Sequence, residues 1–268
     1  MKIHPSSVIH PSAKIHESVE IGPFSVIEAD VEIGEGTIID SCVRIGRYTK
    51  IGKNNRFFHT AAVGGEPQDI SFNSSLVTYT TFGDHNVIRE GVTIHRATKE
   101  GKATIIGNHN FIMAQTHIAH DCVLGDNIAI VTNGQIAGHV HIQNYAFISV
   151  AAVHQFCNVG EYTMLAGYAK VVKDVPPYCL IDGNPASILG INTIGLKRAG
   201  FDASTREKIK QTYKIIYHSG LNTKQALVKL KDQNDTNPQV QKIIQFIENS
   251  DRGITDHRKI RSRSGDEG

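Results

Sequence analysis

Isoleucine stands at every sixth position from Ile3 through Ile9, Ile15, Ile21, Ile27, Ile33, Ile39 and Ile45 to Ile51, and Phe57 and Val63 extend the series. A small or β-branched residue follows four positions after most of them: Ala13, Val19, Ser25, Val31, Thr37, Val43 and Thr49. A glycine often comes directly after the isoleucine, as at Gly22, Gly34, Gly46 and Gly52. A period of six fits neither a 3.6-residue helix nor the two-residue alternation of a half-buried strand. It fits a left-handed parallel β-helix. Each hexad gives one short strand and one turn, and three hexads close a triangular coil of eighteen residues. One coil cannot bury its inner face alone, but stacked coils bury a continuous core. The expected fold is therefore mainly β, with residues 1–182 forming the solenoid.

The register breaks twice. Residues 64–79 (GGEPQDISFNSSLVTY) and 96–104 (RATKEGKAT) lack the repeat and read as loops ejected from the coil. The hexads resume at Phe82, Ile88 and Ile94, and again from Ile106 to Ile148. The last rungs start at Val153, Val159, Leu165 and Val171. Ile148 to Val153 is five residues, so one turn near Ser149–Ala152 must be a residue short. Pro176-Pro177 ends the repeat, and 183–255 reads as a connector followed by a small helical domain. Ser204-Thr205-Arg206-Glu207 reads as a capping box opening a helix with Ile209, Tyr213, Ile216 and Tyr217. A second helix starts near Thr223, with Ala226, Leu227 and Leu230 on one face. Pro238 follows Asn237 at the first position of a third, where its missing N–H costs nothing. The tail 256–268 is almost free of apolar residues and is expected to be disordered.

Composition narrows the functional classes. The 268 residues carry a net charge of +2 and 40% hydrophobic residues. That balance gives no global nucleic-acid footprint. The basic tail residues Arg252, Arg258, Lys259, Arg261 and Arg263 are thin evidence for one. No run approaches the roughly 18 apolar residues of a membrane span, and MKIHPSSVIH has no apolar signal-peptide core. Cys42, Cys122, Cys157 and Cys179 show neither a CxxC pair nor zinc-ligand spacing. Free thiols and a cytoplasmic location are expected.

The chemistry-bearing stretch is HIAHDC, residues 117–122. In an eighteen-residue coil, residue n+18 lies one strand spacing (~4.8 Å) above residue n. His120 then shares a column with Gly138 and, after the short step, with Gln155. His117, His139, His141 and His154 fall on neighbouring columns. Such a stack suits acyl transfer. A histidine takes the proton of an attacking hydroxyl or amine, Asp121 orients the ring, and a glycine N–H one rung away meets the oxyanion. The competing readings are solvated surface histidines and a zinc site of His117, His120 and His139, as in γ-class carbonic anhydrases. Cys122 reads as packing.

Several segments together resemble one family. PQD (67–69), IREGVTIHR (88–96), HIAHDC, IAGHV (136–140), AVHQFC (152–157), DVPPY (174–178) and the GN…GLKR.GF run through 183–201 are similar to the acyl-[acyl-carrier-protein]–UDP-N-acetylglucosamine O-acyltransferases of lipid A biosynthesis. The resemblance implies a homotrimer with sites between subunits. It implies transfer of a β-hydroxyacyl chain from the phosphopantetheine thioester of acyl carrier protein to the 3-position of a UDP-amino sugar, with no other cofactor and no metal. Carried over, His120 is the general base, Asp121 its partner and Gly138 the oxyanion donor. Asp69, His117, His139, His154, Gln155, Asn192 and Arg198 would bind substrate, with Arg198 a cation suited to a diphosphate. Gly167 and Lys170 would lie at the end of the acyl chain.

Three positions depart from the family pattern. Ser71 replaces a usual lysine, Ala199 a second arginine and Ile194 a frequent glutamate. All three belong to the acceptor side, so the chemistry is expected to be retained and the acceptor pocket altered, with a hydroxyl or a 3-amino group as nucleophile. Lys197, Arg198, Lys208, Lys210 and Lys214 could steer an acidic carrier protein; an ordinary solvated helix face is the plain alternative. An acyl-CoA-dependent sugar N-acyltransferase, a zinc hydratase and a non-catalytic scaffold are the competing functions.

Overall fold

The inward aliphatic residue of each hexad meets its equivalents in the coils on either side, and that contact sets the architecture. A computed structural model describes residues 2–258. Its two-residue strands stack into three parallel sheets of eleven, nine and eight strands, the faces of a triangular prism. Face one starts with Lys2–Ile3, face two with Val8–Ile9 and face three with Lys14–Ile15. Lys2 pairs with Glu20 and Ile3 with Ile21, the eighteen-residue coil expected from the sequence.

Ile21, Ile45, Ile88, Ile112, Ile136 and Leu165 are all buried in one continuous core. Ile3, Ile9 and Ile15 of the first coil are only half-buried, since among the described residues a coil covers them on one side alone. Each full burial is worth roughly 1.5–3 kcal/mol. Nearly every corner places a non-glycine residue in the left-handed region, among them Asp121, His139 and Phe156 at φ near 60°. This conformation is uncommon outside glycine but less so for Asn, Asp and His, and it is what turns the chain from one face to the next.

Both excursions leave the coil without disturbing it. Phe57 pairs with Ile88, thirty-one positions on, yet the side-by-side stacking is kept. Phe82 pairs with Ile106 across the second excursion. The regular strands reach Gly65 before the first excursion and resume at Tyr79, so the ejected part is 66–78; the second is 96–102. The short turn lies between Ile148 and Ala152, since Phe147 still pairs eighteen positions back with Ala129 but Ala152 pairs seventeen back with Gln135.

Beyond Pro176-Pro177 face one gains two more strands. Cys179–Asp182 continues the parallel sheet and Ser187–Ile191 turns back antiparallel against it. The connector also holds a short helix, α1 (Thr193–Arg198). Helices α2 (Ala203–His218), α3 (Thr223–Asp232) and α4 (Pro238–Glu248) follow. The cap of α2 is Asp202, whose carboxylate accepts from the Thr205 N–H, not the Ser204 box expected. Both sequences satisfy capping chemistry, and the helix starts one residue earlier than the first of those hydroxyls. Asn222 with Gln225 forms the capping box of α3, and Asn237 caps α4.

The expected disorder from 256 does not hold for the first three of those residues. Ile254 bridges to Asp174 and His257 to Ile188. Lys173 pairs with Asp256 and Asp182 with Arg258, so the segment closes the open end of the prism. The remainder of that tail, 259–268, lies outside the described residues.

Polar side chains also stack inside the coil. Asn55 Oδ1 accepts from the backbone and side-chain N–H of Asn86. Asn86 Oδ1 accepts from Asn110 N, and Asn110 Oδ1 from Ile128 N. All three asparagines are buried. Replacing Asn86 by Ala strands the Asn110 N–H and the Gly107 carbonyl on the next coil, at about 1–3 kcal/mol for each unsatisfied buried group. Asn86→Ala should therefore lower stability by on the order of 3 kcal/mol, read as a drop in Tm at fixed protein concentration.

Candidate active site

His120 leaves face two at the corner that leads to face three, two residues after the end of the strand His117–Ile118. Asp121 takes the left-handed turn position there. Its backbone N–H is anchored to Thr104 Oγ1 (2.8 Å). The turn brings the carboxylate back against its neighbour, and His120 Nδ1–H donates to Asp121 Oδ2 at 2.8 Å. A carboxylate accepts only, which assigns the proton to Nδ1 and leaves Nε2 as the acceptor. Thr98, in the second excursion, donates from Oγ1 to Oδ2 at 2.7 Å and from its N–H to both oxygens at 3.2 Å. Burial pushes the Asp121 carboxyl up, but the bonds from His120 and Thr98 outweigh it and hold the group below the usual carboxylate range.

The expected column is present. His139 N–H donates to His120 O, and Phe156 N–H to Gly138 O, one rung above. A Cβ on Gly138 would stand 2.6 Å from His120 Cε1 and 2.9 Å from Nε2. Glycine is required because the imidazole lies flat over that α-carbon. The Gly138 N–H makes no backbone or side-chain hydrogen bond among the described residues, so it is available as a donor beside the ring.

Three further imidazoles surround the pair. His139 stacks on Phe156 at 4.5 Å between centroids and meets the His120 ring edge-on at 5.3 Å. His117 exchanges a hydrogen bond with Thr93 Oγ1 (2.7 Å) and packs edge-on to His95. Burial, then the neighbouring His120, lowers the pKa of His117. Burial also lowers that of His139 against the opposing pull of Asp121. His95 is pushed down to about 4 by burial and by His117 and His120. Each of these flanking rings is thus biased toward its uncharged form.

A cleft of about 400 Å³ opens in front of His120. Its floor is small and apolar, with Ala119, Ala137, Ala152, Val153 and Val171. Successive rungs of face two place His117, Gln135, Ala152 and Lys170 in line, spanning roughly 14 Å. Lys170 and His154 line the far end and Gln68 the near end.

The structure thus gathers His120, Asp121, Gly138, His117, His139, His154 and Lys170 at one place. Asp69 sits beside Gln68 in the first excursion, where the Ser71 N–H (2.9 Å) and Oγ–H (2.8 Å) both donate to its Oδ1. Those two bonds hold its carboxyl below the ordinary value. Gln155 is exposed at the corner above Gly138 and does not line the cleft. Gly167 stands at the other edge of face two, with open space around it. Asn192 and Arg198 are elsewhere in the chain. The Asn192 amide caps α1 and donates to Tyr162 O, and Arg198 is exposed on that helix.

The three histidines of the zinc alternative do not converge. The ligand-like group is His120, Asp121 and His139, and the Asp121 oxygens already accept from His120 and Thr98. Cys122 donates from Sγ to Ala137 O, and burial pushes its thiol up to about 12, consistent with packing rather than nucleophilic attack. Thr98, Gln68 and His95 were not singled out in the sequence. Gln68 and His95 lay inside quoted motifs; Thr98 lay in an aperiodic excursion with no pattern to mark it.

A family model described as Udp N-acetylglucosamine O-acyltransferase, domain 2, matches residues 174–255, and one for six bacterial transferase hexapeptide repeats matches 12–47. An acyl-[acyl-carrier-protein]–UDP-N-acetylglucosamine O-acyltransferase of Burkholderia orbicola is 44% identical over 94% of this chain and 98% of its own length. The UDP-N-acetylglucosamine acyltransferase structure of Francisella novicida superposes with a TM-score of 0.93 at 43% identity, covering 96% of this chain and 95% of that one. The Arabidopsis enzyme gives 0.86 at 31%, covering 95% and 100%. The chain belongs to the acyl-[acyl-carrier-protein]–UDP-N-acetylglucosamine O-acyltransferase family. Its left-handed β-helix with a small helical C-terminal part is that of these acyltransferases.

For an acyltransferase of this geometry the Gly138 contact is decisive. Gly138→Ala should displace the His120 ring by about an ångström while leaving the strands intact. A misplacement of that size can cost about 10²-fold. Steady-state rates with an unchanged far-UV CD spectrum would show it; a variant with near-normal activity would contradict the close approach.

Proposed function

We propose that the protein transfers a β-hydroxyacyl group from the thioester of acyl carrier protein to the 3-position of a UDP-N-acetylglucosamine-type sugar, in lipid A biosynthesis. His120 Nε2 accepts the proton of the 3-hydroxyl or 3-amino group as it attacks the thioester carbonyl. The Gly138 N–H donates to the oxyanion. Collapse breaks the C–S bond, and the histidine returns its proton to the departing phosphopantetheine thiol. Asp121, tied by Thr98, keeps the imidazole in the reactive tautomer and stabilises the transient imidazolium. The observation that carries this reading is the Thr98–Asp121–His120 chain over a bare glycine N–H, at the mouth of an apolar cleft. The acyl group needs no further cofactor, because the carrier protein delivers it activated.

Acceptor choice follows from Asp69. Its carboxylate has no ion-pair partner among the described residues, since Ser71 supplies two neutral donors where a lysine is usual in the family. An unneutralised carboxylate accepts most strongly from a cationic donor. This favours a 3-amino acceptor, which binds as the ammonium, releases one proton to bulk solvent, and attacks as the neutral amine while His120 takes the second proton. The acyl chain lies along the alanine-floored cleft and ends at Lys170. Asn192 and Arg198 serve the nucleotide of a neighbouring copy in a homotrimer, and the exposed Lys197, Arg198, Lys210 and Lys214 face the acidic carrier protein. Lys208, paired with Asp235 at 2.9 Å, contributes less to that surface.

His120→Ala should remove nearly all transfer in an assay with hydroxyacyl carrier protein, offered UDP-N-acetylglucosamine and its 3-amino analogue side by side. General-base assistance is worth about 10²–10⁴-fold, so a variant keeping more than about a tenth of the rate would remove His120 from that role. Lys170→Ala should shift preference toward longer donors. Burying two additional methylenes at about 0.8 kcal/mol each corresponds to roughly tenfold in kcat/KM, and an unchanged chain-length profile would separate Lys170 from the acyl end.

A further inference from the structure

Among the described residues, the largest side chain that is completely buried is an arginine, Arg96. A buried cation is weak evidence for stability, because desolvation can exceed the Coulombic gain. Its surroundings suggest a different role. Nη2 pairs with Glu66 Oε1 at 3.1 Å, and Nη1 donates to Leu76 O at 3.2 Å. The guanidinium lies over the Phe72 ring at 5.1 Å and the Tyr48 ring at 5.7 Å. Glu66, Phe72 and Leu76 are the beginning, middle and end of the first excursion, whereas Tyr48 belongs to a corner of the solenoid. One planar group at the root of the second excursion therefore touches the first excursion at three points and links it to the prism through Tyr48.

The other ties of 66–78 act locally or at its end. Asp69–Ser71 and Asn73–Ser75 close small turns within the segment, and Val77 N–H reaches Glu100 at its exit. Among the described residues, no other side-chain hydrogen bond or ion pair joins its middle to the solenoid. The excursion carries Gln68 into the cleft and Asp69 beside it. We propose that Arg96 is a positioning residue that holds the 66–78 excursion in the conformation that presents Gln68 and Asp69 to the acceptor sugar. The flat guanidinium suits this task. It lies against two rings and presents donors at fixed angles, which neither an apolar side chain nor a lysine reproduces. The inference rests on the acceptor reading of this end of the cleft.

The test uses the full-length protein with Arg96→Met, Arg96→Lys and Phe72→Ala. Hydrogen exchange reads the pin without reference to catalysis. In Arg96→Met, amides of 66–78 should exchange at least about tenfold faster while those of the strands from Phe111 to Leu165 stay as slow as before. In the transfer assay, KM for the UDP-sugar should rise about tenfold or more, with kcat and KM for the acyl carrier protein within about threefold. Arg96→Lys should recover part of both effects. Phe72→Ala, which leaves the cation in place and removes only the excursion's ring beside it, should reproduce them in milder form and covers the case in which Arg96→Met does not fold.

Unchanged exchange in 66–78 would overturn the proposal, as would faster exchange spread through the strands, or equal changes in both KM values. Absence of transfer by the unmodified protein would instead refute the acceptor reading, and the exchange arm would still decide the pin.

Discussion

The structure depends on one contact repeated along the chain: an aliphatic side chain packed on its equivalent eighteen residues away inside the prism. That contact fixes rise and register together. Because a one-residue slip would turn the inward residue outward, the coil tolerates changes only where it turns. Both excursions leave at the end of a strand, and the missing residue falls in the turn between Ile148 and Ala152. The stacking is restored immediately afterwards in each case. Stability is therefore carried by the interior of the prism, and the outer corners are free to carry chemistry.

The corner at His120 shows what that freedom yields. A left-handed residue at each level brings Asp121, His139 and Phe156 into one vertical file, with His120 and Gly138 in the file beside it. An imidazole, the carboxylate one residue on and a bare glycine N–H eighteen residues away thus meet through coil register. The side chains need no long-range loop to meet. The backbone below them is held by parallel ladders on both sides, so the site is preorganised at little cost in local order.

The same reasoning explains what could be read from the sequence. The isoleucine file, the two excursions, the short turn and the His120–Gly138 column all follow from counting, because the period is rigid. Features without a period were opaque. Thr98 and Arg96 act from or at the edge of an aperiodic excursion, so nothing in their spacing announces that one holds Asp121 and the other is buried. The α2 cap fell to Asp202 instead of Ser204, since either side chain can satisfy a free N–H and only the path of the connector decides. Residues 256–258 are anchored by Lys173, Asp182 and the edge strand at Ile188, partners that lie more than sixty positions away. Composition alone gave no hint of them.

The rigidity that builds this corner also keeps Asn192 and Arg198 away from it. Asn192 is fixed through Tyr162 at the corner between faces three and one, whereas His120 stands at the corner between faces two and three. A β-helix cannot bend one corner toward another without breaking its ladders, and α1 is held to the prism by the buried Leu196 and the Asn192 cap. If Asn192 and Arg198 are to meet a sugar nucleotide whose 3-position lies at His120, they must arrive on a second copy whose corner faces this cleft. Under the proposed function, a site shared between copies would then follow from the solenoid's stiffness, and binding the acceptor would depend on assembly.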